Sequence, residues 1–159
     1  MTQLNKLIEA NSAAHFKLLT IVGENPVKEE EIIEELTAGG WEAYDIEEIV
    51  LDLVEELPEE KIKLRIADAL KKWVKNLDSE KLILMNNEIL FTSEMNKTDP
   101  FHAFKYHMRG PREAVLLLHA KLRGHEAIYS QPGKSDHKVI ELNDVIFKHI
   151  DDVEIGGDN

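Results

Sequence analysis

Phe16-Lys-Leu-Leu-Thr-Ile-Val22-Gly23-Glu24-Asn25-Pro26-Val27-Lys28-Glu29-Glu30 is the stretch on which the fold turns. Phe16 to Val22 is an apolar, β-branched run that ends at a glycine, the pattern of a buried strand. Directly beyond it, Glu29 to Ala38 carries Ile32, Ile33 and Leu36 on one face, has acids at its start where the helix dipole favours them, and stops at Gly39-Gly40. A buried strand feeding a helix is the opening unit of a parallel sheet.

The same alternation continues outward. Upstream, Leu4, Leu7 and Ile8 predict a short amphipathic helix. Downstream, Trp41 to Asp45 reads as a second strand, and Ile46, Ile49, Val50, Leu53, Val54 and Leu57 recur at helical spacing until Pro58. Ile62, Ile66, Leu70, Trp73 and Leu77 mark another helix, and Lys81 to Met85 a third strand with Asn86-Asn87-Glu88 at its carboxyl end, where open α/β sheets place their ligands. Asp99-Pro100 reads as an N-cap and first helical residue, with Phe101, Phe104 and Met108 as the buried stripe that follows. Ala114 to Leu118 is a fourth apolar strand. Glu126–Tyr129 and Lys138–Leu142 are strands joined by the turn-rich Gln131 to Asp136, Val145 to Ile150 completes the sheet edge, and Asp151 to Asn159 reads as a flexible acidic tail. The expectation is one α/β domain over residues 1–159, with a mainly parallel sheet flanked by helices.

The net charge is −12, with no cysteine, which excludes disulfides, thiolate nucleophiles and cysteine-based metal sites. No apolar run approaches the roughly 20 residues needed to span a bilayer, so a cytoplasmic protein with no membrane partner is expected. The charge is segregated: residues 1–60 carry −13, residues 61–140 carry +6 and residues 141–159 carry −5. Five histidines (His102, His107, His119, His125, His137) fall in the basic middle, whose positive character grows as pH drops through about 6.5.

In nucleotide-binding sheets the loop after the first strand cradles phosphate with glycines, helix-start amides, a lysine and a Ser/Thr for magnesium. Gly23 to Glu30 has the position, the leading glycine and Lys28. Glu29 stands where Ser/Thr would hold magnesium, and Glu24, Glu29 and Glu30 occupy the space of the phosphate; each like-charge approach costs on the order of 1 kcal/mol at ~4 Å in water. The segment therefore reads as an ordinary strand-to-helix loop in preference to a working phosphate site. At the end of the third strand Met85 stands at the metal-ligand position and cannot coordinate magnesium, which leaves Glu88 without an ion to act beside.

Leu82-Ile-Leu-Met-Asn-Asn-Glu-Ile-Leu-Phe91, Asp99-Pro100-Phe101, Arg109-Gly110, Ala114 to Leu118 and Tyr129-Ser-Gln-Pro132 through His137, in that order, resemble the small P-loop-containing BrxF family of type 3 BREX phage-defence systems. The resemblance spans about residues 16–142. It implies a P-loop NTPase-like three-layer sandwich and partners among other defence proteins. Carried over, Gly23 and Lys28 fall on the phosphate loop, Glu88 on the acid of the strand-3 motif and Arg109 on a basic residue after the Asp-Pro helix, and the resemblance groups the four as a vestigial nucleotide-binding site. The departures lie at the loop and at Met85, so what is implied is a non-catalytic or weakly nucleotide-binding member that keeps the fold for assembly, with neither ATP nor magnesium expected as a cofactor.

Basic residues of the middle stretch, among them Lys121, Arg123, Lys134 and Lys138, form a candidate patch for an acidic partner surface or for nucleic acid. The histidines show neither an i, i+4 pair nor an HExxH pattern, so no metal site is expected; no Gly-x-Ser-x-Gly elbow supports nucleophilic catalysis, and no catalytic residue is assigned. Two alternatives remain at this level: an ATP-binding switch with an atypical loop, and a winged-helix DNA binder in which residues 29–57 form a helix-turn-helix.

Overall fold

The computed structural model describes residues 2–58, 62–91, 100–130 and 137–155. A five-stranded parallel sheet forms its centre, in the order β3-β4-β5-β2-β9. Its strands are β2 (Leu18–Val22), β3 (Glu42–Asp45), β4 (Lys81–Met85), β5 (Glu113–Leu118) and β9 (Phe147–His149). The two most apolar runs pair with each other at the centre: Leu18 lies opposite Ala114 and Val22 opposite Leu118, and every residue of both strands is buried. Continuous apolar runs suit strands covered on both faces.

Among the described residues the α-helices are α1 (Leu4–Ser12), α2 (Pro26–Ala38), α3 (Ile46–Glu55), α4 (Ile62–Lys75) and α5 (Pro100–His107). They divide between the two faces according to strand alternation. Leu18, Val22, Ala114, Leu116 and Leu118 pack with Ile46 and Val50 of α3, Ile66 and Leu70 of α4, and Phe101 and Phe104 of α5. Leu19, Ile21, Val115 and Leu117 point the other way, onto Leu4 and Leu7 of α1 and Ile32 and Leu36 of α2. The connection from β2 to β3 runs across the sheet in the opposite direction to those that follow it. Uniformly right-handed crossovers therefore put α2 on the face opposite α3, α4 and α5. Helices on both sides of a parallel sheet are the α/β arrangement expected from the sequence.

Between β5 and β9 the chain forms a small antiparallel sheet of β6 (Lys121–Arg123), β7 (Glu126–Ser130) and β8 (His137–Glu141). Ala127, Ile140 and Leu142 anchor it to the larger core. Asp99 and the Gln131 to Asp136 turn lie outside the described residues.

Three expectations are corrected. Helix α2 begins at Pro26, not Glu29, because Asn25 caps it and proline at the first helical position has no amide to lose. Residues 151–155 do not fray: a turn at Ile150–Asp152 leads into β10 (Val153–Glu154), which pairs in parallel with β1 (Thr2–Gln3), and Val153 is fully buried. The helix-turn-helix reading fails because α2 and α3 are separated by β3 and pack on opposite faces of the sheet.

Candidate functional site

The carboxyl ends of β2, β4 and β5 converge, and the side chains just beyond them make one network. With α2 starting at Pro26, the loop that leaves β2 is only Gly23, Glu24 and Asn25. Gly23 sits at φ +127°, and its amide donates to Leu118 O at 3.0 Å. The Lys28 amide donates to Asn25 Oδ1 at 3.1 Å and the Glu29 amide to Asn25 O at 2.9 Å. Pro26 has no amide, so among the first three helical residues only Val27 has one to offer an anion. The helix start is spent on its own cap.

The Lys28 ammonium is also engaged, donating to the carbonyl of Asp151 at 3.1 Å, while Asn25 Nδ2 donates to Asp151 Oδ1 at 2.9 Å. The Asp151 amide in turn donates to His149 Nδ1 at 3.1 Å. The segment expected from sequence to be a flexible tail thus closes over the strand-to-helix loop weighed against a phosphate cradle. Replacing Asn25 by alanine removes both the cap and this tie, and is expected to cost about 1 kcal/mol in a urea unfolding experiment, the usual worth of an N-cap.

His119, the first residue after β5, joins the other two strand ends. Its Nε2 meets Glu29 Oε2 at 2.6 Å, and its Nδ1 meets Glu88 Oε1. Two carboxylates can both accept only if both ring nitrogens carry protons, so the ring is an imidazolium. Its pKa is pushed up to about 10, chiefly by the hydrogen bond to Glu29 and then by that to Glu88, against the opposing effect of burial. The hydrogen bond from His119 in turn holds the Glu88 carboxyl below its ordinary value. An imidazolium that keeps its proton at neutral pH is a poor general base. It acts instead as a charged clamp between α2, the end of β4 and the end of β5.

The Asn86-Asn87-Glu88 segment is built to present this acid. Asn87 is buried, and its Nδ2 donates to Leu84 O at 3.0 Å and Leu117 O at 2.9 Å, tying the ends of β4 and β5 together. Asn86, at φ +56°, donates to Asp45 Oδ2 at 2.8 Å, while Asp45 Oδ1 caps α3 through the Glu48 amide. Two hollows adjoin the clamp and share Glu24 and His119 as walls. One, of about 470 Å³, is rimmed by Glu29, Glu30 and Glu34; the other, of about 650 Å³, is lined by Gly23, Lys121, His149 and Asp151.

These residues do not fit a magnesium nucleotide. The lysine is bound to a carbonyl, the glutamate standing where the resemblance implies a magnesium ligand is held by an imidazolium, Met85 stands where it implies a metal ligand in β4, and the rim is acidic.

Of the residues singled out from sequence, Gly23, Lys28 and Glu88 are brought to the same end of the sheet. Lys121 lines the second hollow, and Arg123 is exposed and pairs with Glu126 at 3.3 Å. Lys138 stands in β8 opposite Tyr129, and Lys134 lies outside the described residues. Arg109 precedes β5 and therefore sits at the amino end of the sheet, away from the other three. His119 and Glu29 are the partners that sequence reading did not join: they are 90 positions apart. The rule that drew notice to Glu88, a polar residue just past an apolar strand, applies equally to His119. No family model, curated protein or solved structure matches the chain.

Proposed function

We propose that this chain is a P-loop-like α/β protein that does not turn over nucleotide and acts as an interaction component of a BREX-type phage-defence assembly. The observation that carries the non-catalytic part is the closure of the strand ends by Lys28–Asp151 and Glu29–His119–Glu88. Each contact spends a group that a phosphate site would need. The P-loop part rests on the sequence resemblance and on strand order: β2, the first strand of the main sheet in chain order, lies between its fourth (β5) and its fifth (β9), and the loop that leaves it faces the carboxyl-end crevice. The defence part rests on the ordered motifs from Leu82 to His137 alone.

Calorimetric titration with ATP and magnesium tests the first part. No saturable heat is expected from the native chain; saturable binding that is weakened by Lys28→Ala would establish the competing reading of an ATP-binding switch. The assembly part is tested by the genes on either side and by co-expression with their products: defence genes whose products co-purify with this chain support it, and a neighbourhood without them removes it.

A further inference from the structure

The opposite end of the main sheet is basic. Lys17 leads into β2, Lys71 and Lys75 lie in the last turns of α4, and Arg109 and Arg112 lie in the connection between α5 and β5. Because all five main strands are parallel, residues preceding β2 and β5 and those ending α4 and α5 share one edge. Hydrogen bonds show the convergence directly. Arg112 donates from Nη2 to Leu77 O at 2.9 Å, joining the connection to the end of α4, and Lys17 Nζ donates to Gly110 O at 2.6 Å, joining it to the start of β2. Burial, and then the charges of Arg112, Lys71, Lys75 and Arg109, push the pKa of His107 below its ordinary value, so these cations surround one ring.

Lys71, Lys75 and Arg109 are exposed, and among the described residues no carboxylate forms an ion pair with any of the five cations. The acids at this end are Glu42, Asp78 and Glu80, in and beside the Ser79 turn, where Tyr44 donates to Glu42 at 2.8 Å, together with Glu113, buried and accepting from Ser12 Oγ at 3.2 Å, and Asp144, paired with Lys105 at 3.3 Å. An exposed aromatic ring stands at the same edge, with the Lys105 ammonium, paired to Asp144, 5.2 Å from its centroid. Tyr106 is 52% exposed, and its ring packs edge-on against Phe16, the neighbour of Lys17. Lysine and arginine from separate segments, unpaired and bordering an exposed ring, suit a flexible polyanion whose bases can stack.

We propose that this amino-end surface binds single-stranded nucleic acid, with Lys71, Lys75 and Arg109 along the phosphates and Tyr106 under a base. The site is distinct from the closed carboxyl end and from Lys121 and Arg123, and does not depend on whether nucleotide binds. A competing reading is that the cations only complement the carbonyl ends of α4 and α5.

Fluorescence anisotropy with a labelled oligothymidylate of roughly 20 nucleotides separates them. With three phosphate contacts, binding is expected to weaken about 20-fold between 50 and 200 mM salt. Lys71→Glu with Lys75→Glu is expected to weaken it at least tenfold at low salt, and Tyr106→Ala at least fivefold, with melting temperatures close to the parent's. Lys121→Glu with Arg123→Glu is expected to leave it unchanged. The proposal is overturned by no binding at 50 mM salt, by indifference to the Lys71/Lys75 reversal, or by polyglutamate binding as tightly as the oligonucleotide with Tyr106→Ala neutral, which would mark a dock for an acidic protein.

Discussion

Gly23→Ala is expected to destabilise the chain by about 3 kcal/mol or more, through backbone strain and overpacking together. At φ +127° an L residue is strained wherever it stands. Here the added methyl would also lie 2.8 Å from Ile150 Cγ2 and 3.0 Å from the His149 ring. Ile150 is buried with 1% of its surface exposed, so it has no room to yield. The turn that carries Asp151 onto Lys28 would be pushed off the loop. Gly40→Ala separates the two causes, since Gly40 has φ +95° but nothing within 4 Å of an added Cβ. That variant is expected to lose only about 1 kcal/mol from strain. Equal losses at the two positions in urea unfolding would show that the close approach at Gly23 does not exist.

His119→Ala is expected to cost about 2 kcal/mol near neutral pH, the scale of a charge-assisted hydrogen-bond pair in a half-exposed setting, and to lower Tm by roughly 6 °C. It leaves Glu29 and Glu88 facing each other with no cation between them. The pH dependence has a definite sign. His119 has its pKa raised from 6.5 to about 10, so its contribution is complete below about 6.5 and is lost as pH rises through about 10. Glu88 has its pKa lowered from 4.5, so its contribution is present above about 4.5 and is lost as pH falls below that. The native chain should therefore be most stable between these limits and weaken steadily on the alkaline side. Thermal melts of His119→Ala should show a flatter alkaline limb, and a limb as steep as the parent's would place the titration in another group.

The sheet and its helices were legible because burial on two faces writes itself as continuous apolar runs. Leu18–Val22 and Ala114–Leu118 could be little else, and the Ile46 to Leu57 repeat admits one period. The start of α2 was legible too but was missed. Asn25-Pro26 is the same N-cap and proline signal as Asp99-Pro100, and the expected phosphate loop drew Pro26 into itself. The order of the last segment was not legible, because Val153 finds its place only through pairing of β10 with a two-residue strand at the other terminus. Neither was the clamp. Glu29 reads as a dipole-favoured acid and His119 as one of five histidines in a basic stretch, and only the parallel sheet, by bringing three strand ends together, turns them into partners. Arg109 shows the converse: a motif position carried it toward the loop, but its place before a parallel strand fixes it at the far end.

The carboxyl end of the sheet is closed by an imidazolium held between two carboxylates. Nitrogen-detected NMR of the His119 ring across the alkaline range measures this most directly. Both ring nitrogens are expected to remain protonated at pH 8.5, with a midpoint near 10. A ring that loses its proton near its ordinary 6.5 and then shows a single neutral tautomer would contradict the clamp and reopen the loop to phosphate.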